Sequence, residues 1–151
     1  MRTVVAIQAR LSSQRMPRKV LADLGGKPML SQIVRRCTAS GLDTIISCPP
    51  DDAKEIIKAT GHVPVTGPEN DILTRMLNVA YETKASYVVR VTADCPFIPW
   101  DGIAWVANNH VKNKPNVVQN WKPRVHPDGF DFECWNVSYL EELHGLSLIH
   151  I

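Results

Sequence analysis

The sequence predicts an α/β chain in which a mostly parallel sheet lies between two layers of helices. Three observations predict it. β-Branched runs of strand length alternate four times with stretches of helical apolar spacing, the order that gives parallel strands joined by crossover helices. The length of 151 residues matches a single domain. Hydrophobic residues make up 44% and charged residues 21%, enough apolar side chains to build a core at this size.

The elements follow in order. Residues 3–8 (TVVAIQ) are β-branched with no helical break and read as a buried strand. Residues 9–27 are polar, basic and glycine-containing, and read as a long loop. Pro28 opens a helix over 28–40, where a missing N–H costs nothing; Met29, Ile33 and Val34 form its apolar stripe and Gly41 ends it. Residues 43–48 are a second strand. Residues 51–60 are a short helix, opened by Asp51-Asp52 and closed by Gly61. A third strand is expected over 62–66 and a helix over 69–84, with Ile72, Leu73, Met76, Leu77 and Ala80 on one face. A fourth strand spans 86–92, and a helix over 99–112 carries Ile103, Trp105, Val106 and His110. Strands over 116–120 and 130–137 come last, before a helix that starts at Ser138 and stops near Gly145.

Composition removes several function classes. The net charge of +2 and the apolar content exclude disorder as the main state. The near-neutral balance and the lack of a basic stripe argue against a nucleic-acid partner. Cys37, Cys48, Cys95 and Cys134 form no CxxC pair, so a structural zinc is not expected and the cysteines read as buried hydrophobes. No HxxxH or HExxH occurs among the five histidines. No window approaches the roughly eighteen apolar residues of a membrane span. The apolar run after Met1-Arg2 is too short and too soon charged for a signal peptide, so the chain reads as cytoplasmic.

Ligands of such sheets sit beyond the carboxyl ends of the strands, so chemistry is sought there. After the first strand, Arg10, Arg15, Arg18 and Lys19 share a loop with Ser12, Ser13 and Gln14. A loop of this kind wraps a polyphosphate, with backbone N–H groups lining the anion and the cations neutralising it. Neither GxxxxGK[ST] nor GxGxxG is present. After the fourth strand, Asp94 suits Mg²⁺, which takes one or two carboxylates plus phosphate oxygens and water. After the third, Asn70 and Asp71 either cap the next helix or approach a base. In His126-Pro-Asp-Gly-Phe-Asp-Phe-Glu133, Asp128-Gly129 reads as an ordinary turn, and Asp131 and Glu133 alternate with phenylalanines on one strand face, where such pairs are more often solvent-facing than functional and otherwise bind sugar hydroxyls or a second metal.

The segment IQARLSSQRMPRKVLADLGGKPML resembles the N-terminal signature of the sugar cytidylyltransferases. GPENDILTRMLNVAYE, VVRVTADCPFIP and HPDGFDFECWNVSYLEE continue the match in the family's order. The nearest resemblance is to the spore coat polysaccharide biosynthesis protein F group, with the enzymes that activate acylneuraminate and 3-deoxy-manno-octulosonate related to it. The resemblance implies a three-layer, Rossmann-like nucleotidyltransferase fold of the nucleotide-diphospho-sugar transferase type. It implies transfer of CMP from CTP to a sugar with release of pyrophosphate, for surface polysaccharide biosynthesis, and a homodimer. By it, Arg10, Arg15 and Lys19 hold the triphosphate, with Ala9, Ser12 and Ser13 beside them. Asp94 takes the family's metal-binding position and binds Mg²⁺. Asn70, Asp71 and Arg75 fall where the family approaches the nucleobase, and Asp128, Asp131 and Glu133 where this group approaches its sugar.

Two departures qualify the match. The family's second metal-binding aspartate, nearer the C-terminus, has no counterpart, so the expected domain is 1–145 and incomplete. Residues 146–151 resemble translated adapter sequence and read as a non-native tail. Two alternatives accompany the leading one: a nucleotide-sugar-dependent glycosyltransferase, disfavoured because no Asp-x-Asp occurs, and a catalytically incomplete nucleotide-binding fragment.

Overall fold

The computed structural model describes residues 1–109, 111–124 and 126–149. Among these, six strands form one sheet: β1 (Thr3–Gln8), β2 (Asp43–Cys48), β3 (Val65–Thr66), β4 (Tyr87–Thr92), β5 (Val117–Gln119) and β6 (Phe132–Asn136). Their order is β3-β2-β1-β4-β6-β5. The first four are parallel. β6 is antiparallel to β4, and β5 is antiparallel to β6.

Alternation along the central strands sorts the side chains into two cores. Val5 and Ile7 of β1 face a cluster that includes Leu30, Ile33, Ile56 and Ile103. Val4 and Ala6 face Met76, Val79 and Leu140 instead. Helices α1 (Met29–Thr38), α2 (Pro50–Thr60) and α4 (Trp100–Asn109) therefore cover one face, and α3 (Ile72–Thr83) and α5 (Val137–Ile149) the other. This is the three-layer α/β arrangement expected from the sequence. The four cysteines are free and buried, as expected.

Boundaries differ where local chemistry overrides the pattern. The loop after β1 contains a 3-10 turn, Lys19–Leu21. Pro28 caps α1 with an extended backbone rather than entering it. The helix predicted from Glu69 starts at Ile72, because Asp71 caps it. α4 ends at Asn109 and a 3-10 turn follows at Val111–Asn113; His110 lies outside the described residues. The strand predicted from Phe130 starts at Phe132, leaving Asp131 off it. The last helix does not stop near Gly145 but runs to Ile149; residues 150–151 of the expected tail lie outside the described residues. Gly in a helix interior costs only about 1 kcal/mol, too little to end one by itself.

The strand order creates the functional geometry. The chain steps outward from β1 to β2 and β3, then returns to β4 on the other side of β1. The crevice between the carboxyl ends of β1 and β4 is thus a switch point. Because β6 runs the other way, with Phe132 opposite Val91, its beginning reaches the same rim.

Candidate active site

The loop leaving β1 is anchored by its backbone. Ala9 N–H donates to Ser47 O at 2.9 Å, Ser13 N–H to Leu11 O at 2.9 Å and Arg18 N–H to Leu11 O at 3.1 Å. Leu11 N–H donates to Asp52 Oδ2 at 2.9 Å. These four amides already have acceptors, whereas among the described residues the N–H groups of Arg10, Ser12, Gln14 and Arg15 donate to no protein atom and stand beside the cationic side chains as donors for an anion. Ala9 itself is buried in the core. Ser12 Oγ donates to Glu69 Oε1, and Arg18 pairs with Glu55. Arg10 and Arg15 are exposed and make no hydrogen bond or ion pair among the described residues.

Lys19 bridges the crevice. Its Nζ lies 3.2 Å from Asp94 Oδ2, joining the β1 loop to the turn after β4. Burial pushes the Asp94 carboxyl up, but hydrogen bonds from Thr92 and Lys19 and the Lys19 charge outweigh it, leaving the pKa below its ordinary value. The side chain is 52% exposed: an anionic carboxylate open to solvent. From α1, Arg36 donates Nε to Ile98 O at 2.9 Å and holds the turn that carries Asp94. The neighbouring Cys95 thiol is pushed up chiefly by burial, so it is no activated nucleophile. Among the described residues no group of three or more His, Cys, Asp or Glu could hold an ion. Asp94 alone fits Mg²⁺ as one carboxylate ligand whose other positions go to phosphate oxygens and water.

The segment between β3 and α3 lies on the other side of β1. Asp71 accepts from Thr74 N–H at 2.9 Å and Thr74 Oγ1 at 2.5 Å, a helix cap that lowers its pKa. Of the two roles open to Asp71 from the sequence, the structure displays the capping one. Asn70 is exposed at the rim. Arg75 is 3% exposed; it lies under the segment and donates to it and to Gln8. Sequence reasoning passed over Gln8. Its signal is that it alone is polar and buried at the end of an otherwise apolar run.

The third rim segment separates the three acidic candidates. Glu133 accepts from Arg90 Nη1 at 3.1 Å, Trp121 Nε1 at 3.1 Å and Trp135 Nε1 at 3.0 Å. It faces the α3–α5 side with Trp135, and protein donors already engage both of its oxygens. Asp131 receives Arg124 Nη2 at 3.3 Å on Oδ2, while Oδ1 is buried without a partner among the described residues. Asp128 pairs with Arg124 and is largely exposed. The two aspartates therefore share Arg124, and Glu133 belongs to a different cluster.

The chain as a whole is similar to known proteins. A family model described as cytidylyltransferase matches residues 4–134. The chain belongs to the cytidylyltransferase family. Its curated relatives include 3-deoxy-manno-octulosonate cytidylyltransferases of Colwellia psychrerythraea, 38% identical over 112 residues, and Idiomarina loihiensis, 40% identical over 111 residues. Each alignment covers 70% of this chain, and 40% and 44% of the respective relative. The chain thus spans less than half the length of the cytidylyltransferases it matches. Among solved structures, a cytidylyltransferase from Leptospira borgpetersenii superposes with a TM-score of 0.87 at 27% identity, covering 96% of this chain and 64% of that one. CMP:2-keto-3-deoxy-manno-octonic acid synthetase, solved with CTP, superposes at 0.76 and 16% identity over 97% of this chain and 78% of its own, a likeness of fold.

Proposed function

We propose that this chain transfers CMP from CTP to a sugar hydroxyl, releasing pyrophosphate, for surface polysaccharide biosynthesis. The observation that carries the reading is the Lys19–Asp94 pair across the switch-point crevice of a cytidylyltransferase-family fold. One cation and one carboxylate meet there, beside Arg10 and Arg15, which have no partner among the described residues.

In this reading the sugar oxygen bonds to the α-phosphorus of CTP, the bond from that phosphorus to the β-phosphate bridging oxygen breaks, and the hydroxyl proton is lost to solvent. Such transfer depends on positioning and charge stabilisation rather than covalent help from the protein. Arg10 and Arg15 hold the β- and γ-phosphates. Lys19 stabilises the charge that develops on the leaving pyrophosphate. Asp94 holds Mg²⁺, which when bound neutralises phosphate charge. Asp128 and Asp131, with Arg124 between them, receive the sugar at the β6 end of the rim.

Thermal stability with Mg²⁺ and CTP, ATP, GTP or UTP tests the binding half. A ligand at about 100 times its dissociation constant stabilises by about 2.7 kcal/mol. The expected result is a CTP-selective rise in Tm that is weakened in Asp94→Asn, followed by pyrophosphate release when sugars are screened. Equal shifts with all four nucleotides, or none, would refute the assignment. Selective binding without turnover of any sugar would reduce the chain to a nucleotide-binding role.

A further inference from the structure

One buried cation seats the segment between β3 and α3. Arg75 commits two of its three nitrogens to the protein. Nε donates to Gln8 Oε1 at 3.0 Å, and Nη1 donates to Pro68 O at 2.9 Å and Glu69 O at 2.5 Å. A guanidinium only donates, so Gln8 must turn its carbonyl oxygen toward it. That fixes the amide and leaves Gln8 Nε2 buried without a partner among the described residues. Gly67 shows how closely the segment lies on this side chain: a Cβ there would sit 2.8 Å from Arg75 Cγ and 3.4 Å from Arg75 Cα. The segment, the end of β1 and the start of α3 therefore meet at one guanidinium.

Charge is segregated along the rim above it. Arg10, Arg15 and Lys19 lie on the β1 loop, which reaches across to β4, while Glu69 and Asn70 follow β3, with Glu69 meeting that loop at Ser12. A nucleoside triphosphate laid across this rim places its polyanion on the cations. Its uncharged, hydrogen-bonding base then falls toward residues 67–70. We propose that Arg75 is a positioning residue which, braced on Gln8, sets the nucleobase selectivity of the 67–70 segment without touching the phosphates. The proposal rests on the nucleotide-binding reading given above. It revises the role that resemblance implied for Arg75, from contact with the base to control of the segment that meets it. Burial fits this role, because a desolvated cation is stable only with its acceptors in place. Loss of the Gln8 oxygen should therefore shift the segment first; it joins the cation loop through the Ser12–Glu69 hydrogen bond, while Arg10, Arg15 and Lys19 make no bond to it among the described residues.

Calorimetric titration of Mg²⁺ with CTP, UTP and inorganic tripolyphosphate tests it, on the wild type, Gln8→Leu, Gln8→Glu and Arg75→Lys, with the Tm of each protein measured alongside. Gln8→Leu and Arg75→Lys should weaken CTP at least tenfold and collapse its preference over UTP, with tripolyphosphate affinity changed less than twofold. Gln8→Glu, which keeps an oxygen facing Arg75 Nε, should restore the preference. Unchanged selectivity in Gln8→Leu and Arg75→Lys overturns the proposal. So does a parallel loss for all three ligands that tracks a lower Tm, which marks a purely structural role. Equal damage from Gln8→Glu and Gln8→Leu also overturns it, by moving the role to the Nε2 donor. If Gln8→Leu does not fold, the pair Arg75→Lys and Gln8→Glu decides. A wild type that binds tripolyphosphate without preferring CTP refutes the brace, whereas one that binds none of the three refutes the nucleotide reading beneath it.

Discussion

Asp71 shows at the residue scale how a rim carboxylate can be occupied by structure. The Thr74 hydroxyl and then the Thr74 N–H donate to it, and both lower its pKa. A depressed folded-state pKa contributes stability above the unfolded value of about 3.9, and that stability is lost as pH falls through the folded value. Asp71→Ala should therefore cost about 1 kcal/mol at neutral pH, and the difference from wild type should shrink below about pH 4. Urea denaturation at both pH values checks this; an equal cost at each would show that the carboxylate is not the cap. Asp94 is the contrasting case. Its net shift is also downward, so it stays ionised at neutral pH, but half its side chain remains open to solvent and free to meet a cation. Residue type could nominate both aspartates. Only their partners separate the cap from the candidate ligand.

At the scale of elements, the strands and helices that bury a face were legible, because burial imposes its period on the sequence. Val4 to Ile7 split cleanly between the two cores, and α3 carries its apolar residues at the spacing that packs it on β1. The ends were less legible, because they depend on single hydrogen bonds. Asp71 delays α3 by three residues relative to the pattern, and Asn120 Oδ1 accepts the Phe132 N–H at 2.9 Å where β6 begins. Gly145 was misleading for a different reason. Glycine often ends helices by adopting a positive φ, yet here it lies inside α5, and a Cβ built on it meets nothing within 4 Å. Gly145→Ala should accordingly stabilise the protein by up to about 1 kcal/mol. A thermal melt distinguishes this from the alternative, since alanine at a left-handed cap would lower the Tm instead.

At the scale of the whole molecule, the strand order puts a switch point at one end of the sheet and gathers the candidate site residues there. Alternating elements predicted the parallel sheet, and the rim rule directed attention to Arg10, Lys19 and Asp94. The brace beneath residues 67–70 was not legible, because Arg75 binds backbone carbonyls, which carry no side-chain signature, and reaches Gln8 only through the packing of α3 on β1. The same asymmetry yields a test that needs no substitution. A cleft of about 620 Å³ lies at the opposite rim, lined in part by Met1, Lys84, Ser86 and Asn136. It adjoins the amino ends of β1 and β4, away from the Lys19–Asp94 pair. Ligands of open parallel sheets bind at the carboxyl ends, where this chain places Arg10, Arg15 and the Lys19–Asp94 pair. Addition of Mg²⁺ and CTP should slow amide hydrogen exchange in residues 10–19, 67–70 and 94–98 and leave residues 84–87 and 136–138 unchanged. Protection confined to the second group would move the nucleotide to the opposite rim and detach the Lys19–Asp94 pair from its chemistry. Protection in the first group alone would show that the switch point, rather than the cleft at the opposite rim, determines where this chain binds the nucleotide.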